Sequence, residues 1–127
     1  MDVTQIEFIA HQDAARYLEI TVDVARVLES WRDSIFSFEW LLNDGTIKPE
    51  RDLPPREKPK RALVEEKLSK NQPLEKPILG IGINDNVEIG VGRAEFLTLA
   101  AHGAKTIPVY IPKSNESDFK EFLAEVN

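Results

Sequence analysis

The sequence contains no cysteine. That absence removes disulfides, thiolate metal ligands and thiol nucleophiles, and the redox chemistry that needs them, and it makes a cytoplasmic location the natural expectation. Histidine is almost as scarce, with 2 residues, His11 and His102, far apart in the chain. No His or carboxylate pair stands at a recognisable ligand spacing, so no metal site is expected. His102, beside Gly103, reads as a partner for a helix C-terminal dipole. No apolar run approaches the roughly 18 residues of a membrane span, and MDVTQIEFIAHQD lacks the basic-then-apolar order of a secretory signal, so neither is expected. Positive charge is in deficit: 16 Lys and Arg against 22 Asp and Glu leave a net charge of −6. That balance repels nucleic acid at long range, so a DNA-binding role would need the one basic run, Lys58, Lys60 and Arg61, to join a larger basic surface. Its plainer reading is a solvated face beside a proline-rich loop.

At 127 residues, 42% hydrophobic and 30% charged, the chain has the size and composition of one folded domain. The expected fold class is α+β. Residues 1–45 read as largely helical: a weak strand over Thr4 to Ala10, a short helix started by Asp13, then one long amphipathic helix. In that helix Val24, Leu28, Trp31, Ile35, Phe38 and Leu42 recur at three and four residue steps, with Thr21 as N-cap and Gly45 as stop, giving about six turns. Trp31 and Phe38 share the stripe and are expected in the core. Phe36 and Trp40 fall off it, and the aromatic helix with Trp31, Phe36 and Trp40 is the face expected to meet a protein partner.

Residues 46–59 hold four prolines, Pro49, Pro54, Pro55 and Pro59. Such a stretch suits neither helix nor central strand and is expected as an extended surface connection, a linker or lid inside a single domain; Glu50, Arg51 and Arg56 are available to close over a ligand, though a solvated loop is their plainer reading. In 60–127, Arg61 to Asn71 predicts a short helix with Ala62, Leu63 and Leu68 near one face. Two β-rich runs around Asn84-Asp85-Asn86 predict a hairpin, with Asp85 as turn chemistry rather than a Mg²⁺ ligand. Arg93 to His102 predicts a helix stopped by Gly103, and Ile107 to Ile111 a strand that Pro108 assigns to an edge or a strand start. A terminal helix capped by Ser114 or Asn115 follows, with Phe119, Phe122, Leu123 and Val126 apolar.

The chemistry-bearing stretch is Gly90-Val91-Gly92-Arg93, where a strand gives way to a helix. A helix start offers unpaired N–H groups and a positive dipole end, glycine lets an anion approach, and Arg93 adds a fork-shaped cation. The layout around it, "KPI" at 76–78, "VEIGVGR" at 87–93, "AEFLTLAAHG" at 94–103 and "AKTIPVYIP" at 104–112, resembles the nucleotide-binding core of the ParB/sulfiredoxin-like superfamily. The resemblance covers about a third of the chain and implies a small mixed sheet with flanking helices in a bacterial, phage or plasmid protein. It implies an anion site at Gly90, Gly92, Arg93, Ala94 and Thr106, with Lys60 and Arg61 near it, and ATP or CTP with Mg²⁺ as ligand. An active chain would then be a nucleotide hydrolase or a nuclease; sulfinic acid reduction is excluded for want of cysteine.

One departure matters. Counting back from Gly103 starts the motif at Gly92 and sets Ala94 and Glu95 where the superfamily carries His or Arg and then Arg. A second frame, Gly90-x-x-Arg93, keeps a Gly-x-x-Arg but lengthens the following helix by two residues. In the preferred frame Arg93 and Glu95 are the candidate catalytic positions, with a carboxylate replacing the gripping arginine. Two readings of Glu95 stay open. It caps the helix N-terminus, or it fills the anion site and leaves a non-catalytic interaction module on the same scaffold.

Overall fold

The strand expected at an edge turns out to be the one on which the sheet is assembled. A computed structural model describes residues 1–125 of the chain. Its elements are β1 (Phe8–Ile9), β2 (Tyr17–Asp23), α1 (Val24–Trp31), α2 (Lys58–Ser69), β3 (Leu74–Glu75), β4 (Ile78–Ile81), β5 (Val87–Val91), α3 (Arg93–Ala101) and β6 (Thr106–Pro112), with short 3₁₀ turns between them. The four-stranded sheet runs β2-β6-β4-β5, and β1 pairs with β3 in a separate two-stranded ribbon. β6 is antiparallel to β2 along its whole length and parallel to β4 only at Tyr110, opposite Ile78. The fold is mixed α+β.

Pro108 sits inside this interior strand without breaking it. Tyr110 donates its N–H to Pro77 on the β4 side at 2.9 Å. Two residues earlier the Pro108 nitrogen faces the same way, but β4 has not yet entered the ladder there. The missing donor therefore costs no ladder hydrogen bond.

The N-terminal third departs most from the expected helix. Residues Tyr17–Asp23 form a strand, in which Leu18, Ile20 and Val22 alternate toward the core as Ile, Thr and Val favour. The helix starts only after Asp23, whose carboxylate accepts the Arg26 N–H at 3.0 Å, and ends at Trp31. Beyond it, hydroxyls outcompete the helical ladder: Ser34 Oγ accepts from the Phe36 N–H, and Ser37 Oγ donates to the Arg32 and Ser34 carbonyls. The chain folds into turns, so Ile35 and Phe38 lie outside while Trp31 and Trp40 are fully buried. The expected docking face is thus dismantled: only Phe36 of its three aromatics is exposed.

Asp13 precedes a single 3₁₀ turn without capping it, and the weak Thr4–Ala10 strand shrinks to Phe8–Ile9. Residues 46–59 are not a surface strap, because Leu53 and Glu57 are buried and Leu53 joins the common core with Trp31, Trp40, Ile107 and Phe119. α2 begins three residues early, since Pro59 fits a first helical turn, and it buries Arg61 and Val64 while Leu63 stays exposed. The hairpin, α3 and the Gly103 stop, at φ +87°, fall where the sequence predicts. The terminal helix is instead two 3₁₀ turns, Lys113–Asn115 and Ser117–Phe122, that bury Phe119 and Phe122. Val126 lies outside the described residues.

The cap assignment is directly checkable by thermal unfolding. Asp23→Ala is expected to cost about 1 kcal/mol, lowering Tm by several degrees. Thr21→Ala, on the exposed face of β2, should stay within about 0.5 kcal/mol of the parent.

Candidate functional site

The corner forms because β5 must turn into α3 directly above Pro77. Gly92 has φ +75°, and a Cβ there would stand 2.9 Å from Pro77 Cα, so this glycine is required by the fold alone. Gly90 is different: a Cβ would meet only the Ile78 carbonyl oxygen, at 3.7 Å. Gly90, Gly92, Arg93, Ala94, Glu95 and Lys60 all line one cleft of about 350 Å³, together with Glu57, Leu63, Glu75 and Ile89. Thr106 is not among them, since it opens β6 opposite Asp23. Arg61 is not either: it is buried, donates to the Lys48 carbonyl at 3.2 Å and pairs with Glu65. Lys58, Lys60 and Arg61 therefore make no continuous basic face.

The two cations at the corner are already engaged. Arg93 lies over two aromatic rings, its guanidinium carbon 4.9 Å from the Phe36 centroid and 5.8 Å from that of Trp31. Its Nη1 pairs with Glu39 Oε1 at 4.0 Å, and Nη2 donates to the Ile89 carbonyl at 3.5 Å. Glu39 is 2% exposed and also holds Arg56. Arg56 thus binds a carboxylate of its own chain instead of closing over a ligand, while Glu50 and Arg51 stay exposed.

Lys60 Nζ stands 3.0 Å from Glu57 Oε2 and pairs with it. The other Glu57 oxygen accepts from the Trp40 indole N–H at 3.0 Å. Burial pushes the Glu57 carboxyl up, and the indole, Lys60 and Arg93 outweigh it, holding the group below the ordinary range.

Glu95 lies in the first turn of α3. Burial raises its pKa and the negative charge of Glu75 adds to the rise, against a smaller lowering by its own backbone N–H, Lys67 and Lys60. Neither Glu75 nor Glu95 forms a salt bridge among the described residues. Among the described residues Glu95 thus makes no capping hydrogen bond at the start of α3, and it adds negative charge to the helix end that would otherwise favour an anion.

A second, largely apolar cleft of about 320 Å³ adjoins the first, sharing Ile89, Gly90 and Arg93 and adding Ile35, Phe36, Gly82, Ile83, Asn84, Asn86 and Glu88. Its polar rim is fixed, as Ser34 Oγ donates to Glu88 Oε1 at 2.6 Å and Asn86 Nδ2 to Glu88 Oε2 at 3.0 Å. Sequence reasoning missed Glu39 and Glu57. The available signal was a lone carboxylate embedded in the aromatic run Phe36-Ser37-Phe38-Glu39-Trp40, because an acid among aromatics is buried only with a partner.

His102 pairs with Glu65 across α2 and α3 and is remote from the cleft lining. No group of three His, Cys, Asp or Glu among the described residues could hold a metal ion, and no helix there is long and apolar enough to cross a membrane. Compared with known protein families, curated proteins and solved structures, the chain matches none.

The Glu95 environment carries a pH signature. A carboxyl whose pKa is raised by folding stabilises the protein fully below its unfolded value, 4.5, and loses that contribution as pH rises through the folded value. Glu95→Gln should therefore raise Tm by a few degrees at pH 7, with the gain vanishing in scans below pH 4.5.

Proposed function

We propose that the chain is a ParB/sulfiredoxin-like domain that works as a non-catalytic binding module and does not bind or hydrolyse nucleotides. The observation that carries this reading is the prior commitment of every cation at the corner: Arg93 to Glu39 and the Phe36 and Trp31 rings, Lys60 to Glu57. A phosphate group would have to draw Arg93 and Lys60 away from carboxylates that are almost wholly buried, leaving Glu57 without its ion-pair partner and Glu39 with Arg56 alone, and weakening the compensation of a buried charge is costly. It would also meet Glu95 and Glu75, where phosphoryl transfer and strand cleavage call for fixed positive charge.

One observation favours the other reading, a nucleotide- or phosphate-binding domain: Gly90 leaves its part of the cleft open without a packing reason. Calorimetry with ATP and CTP, each with and without Mg²⁺, separates the two. The binding-module reading expects no saturable heat for any nucleotide, meaning affinity weaker than about 1 mM. A saturating isotherm for the parent protein would sink it. Glu95→Arg is the companion variant, preferable to a double change because Ala94 is buried; nucleotide binding that arises only in this variant fits a corner disabled by Glu95.

A further inference from the structure

We propose that the two clefts meeting at Gly90 form one groove for an extended peptide segment of another protein. A Lys or Arg side chain of that segment sits between Glu75 and Glu95, and a neighbouring bulky apolar side chain rests against Ile35, Phe36 and Ile83. This rests on the binding-module reading and names the ligand class.

Charge complementarity carries the basic half. The first cleft is lined by Glu57, Glu75 and Glu95 against Lys60 and Arg93. Arg93 is spent on Glu39, which lies outside that lining. Glu57 has a side chain only 4% exposed, and its Oε2 is held by Lys60 at 3.0 Å. With that oxygen paired, Glu75 and Glu95 are the carboxylates of the cleft left for a ligand's cation. Glu75 and Glu95 repel one another and have no ion-pair partner among the described residues. A cation placed between them relieves that repulsion, and where water is partly excluded a charge-assisted hydrogen bond is strongest.

The apolar half rests on exposure beside a prepared surface. Ile83 is fully exposed and Ile35 is 72% exposed, yet both line a cleft whose rim is fixed by the Ser34–Glu88–Asn86 hydrogen bonds. Adjacent exposed apolar side chains over a rigid floor are the usual mark of an interaction site. The two halves share Ile89, Gly90 and Arg93, and Gly90 is a strand glycine with neither a positive φ nor a crowded Cβ position. Glycine within a strand weakens it and commonly marks the close approach of another backbone. An extended chain, whose successive side chains point to opposite sides, delivers two side chains a residue or two apart into two adjoining clefts.

The probes are fluorescein-labelled short peptides of Ser and Gly carrying one Lys and one Leu, in both orders and at both close spacings. Control peptides carry acetyl-lysine, Glu or Ala in place of Lys, or Ala in place of Leu. Binding is read by anisotropy, and the site by amide shifts in ¹⁵N spectra, with inorganic phosphate and ATP titrated into the same sample. The expected result is saturable binding of at least one Lys/Leu peptide, with shifts at Gly90, Glu95 and Ile83, and a loss of about tenfold or more in every control. Glu75→Lys, an exposed change, and Gly90→Ala, whose Cβ meets only the Ile78 carbonyl oxygen at 3.7 Å, should each weaken binding by about tenfold or more with Tm preserved.

Equal binding of charge-neutral peptides, binding indifferent to both variants, or spermidine competing as well as the peptide would overturn the assignment. Concentration-dependent shifts at Ile35 and Ile83 without peptide would overturn it in favour of a second copy of this chain. Silence from every peptide and from phosphate defeats the peptide inference alone, whereas saturating shifts with phosphate or ATP defeat the binding-module reading as well.

Discussion

The buried carboxylate of Glu39, shared by Arg56 and Arg93, is the constraint around which the rest of the corner is arranged. Glu39 is delivered to the interior by the turns after α1, and removing it from water is tolerable only with compensating charge. Arg93 provides that from the first position of α3 and Arg56 from the proline-rich segment. The aromatic neighbours follow from the same demand. The guanidinium lies over the Phe36 and Trp31 rings, and Trp40 gives its indole N–H to Glu57, which in turn holds Lys60. One set of charges thus ties together the N-terminal third, the proline-rich connection, α2 and α3, and for that reason residues 46–59 are part of the core and no removable strap.

This arrangement explains which portions of the fold were legible in the sequence. The hairpin, α3 and β6 were readable because their signals are local: an Asn/Asp turn, a strand-to-helix glycine, a C-terminal Gly103, a run of β-branched residues. The stretch 17–42 was not, because two apolar periods adjoin in it. Leu18, Ile20 and Val22 alternate as a strand directly before the helical repeat of Val24 to Trp31, and a short helix from Asp13 followed by a cap at Thr21 was expected where the strand runs to the boundary at Asp23. The break after Trp31 depends on side-chain hydroxyls whose partners, such as Glu88, lie far away in the chain. Pro108 misled for a related reason, since its tolerance depends on where β4 begins to pair.

The candidate site was legible in its members more than in its chemistry. Gly90, Gly92, Arg93, Ala94, Glu95 and Lys60 do converge on one cleft, whereas Thr106 and Arg61 do not. The charge of the cleft was hidden because it is decided by partners from distant segments, Glu39, Glu57 and Glu75, and no spacing within the motif reveals them. Gly92 is accounted for by Pro77 beneath it, while Gly90 has no such account and becomes the more informative of the two glycines.

If Arg93 is spent inward, its energetic partner is Glu39, and a double-mutant cycle measures that partnership most directly. Chemical unfolding of Glu39→Gln, Arg93→Gln and the double variant should yield a favourable coupling of about 1 to 3 kcal/mol. Additive costs, agreeing within about 0.5 kcal/mol, would mean that Arg93 is not committed to Glu39, and would contradict the account of a corner closed to phosphate.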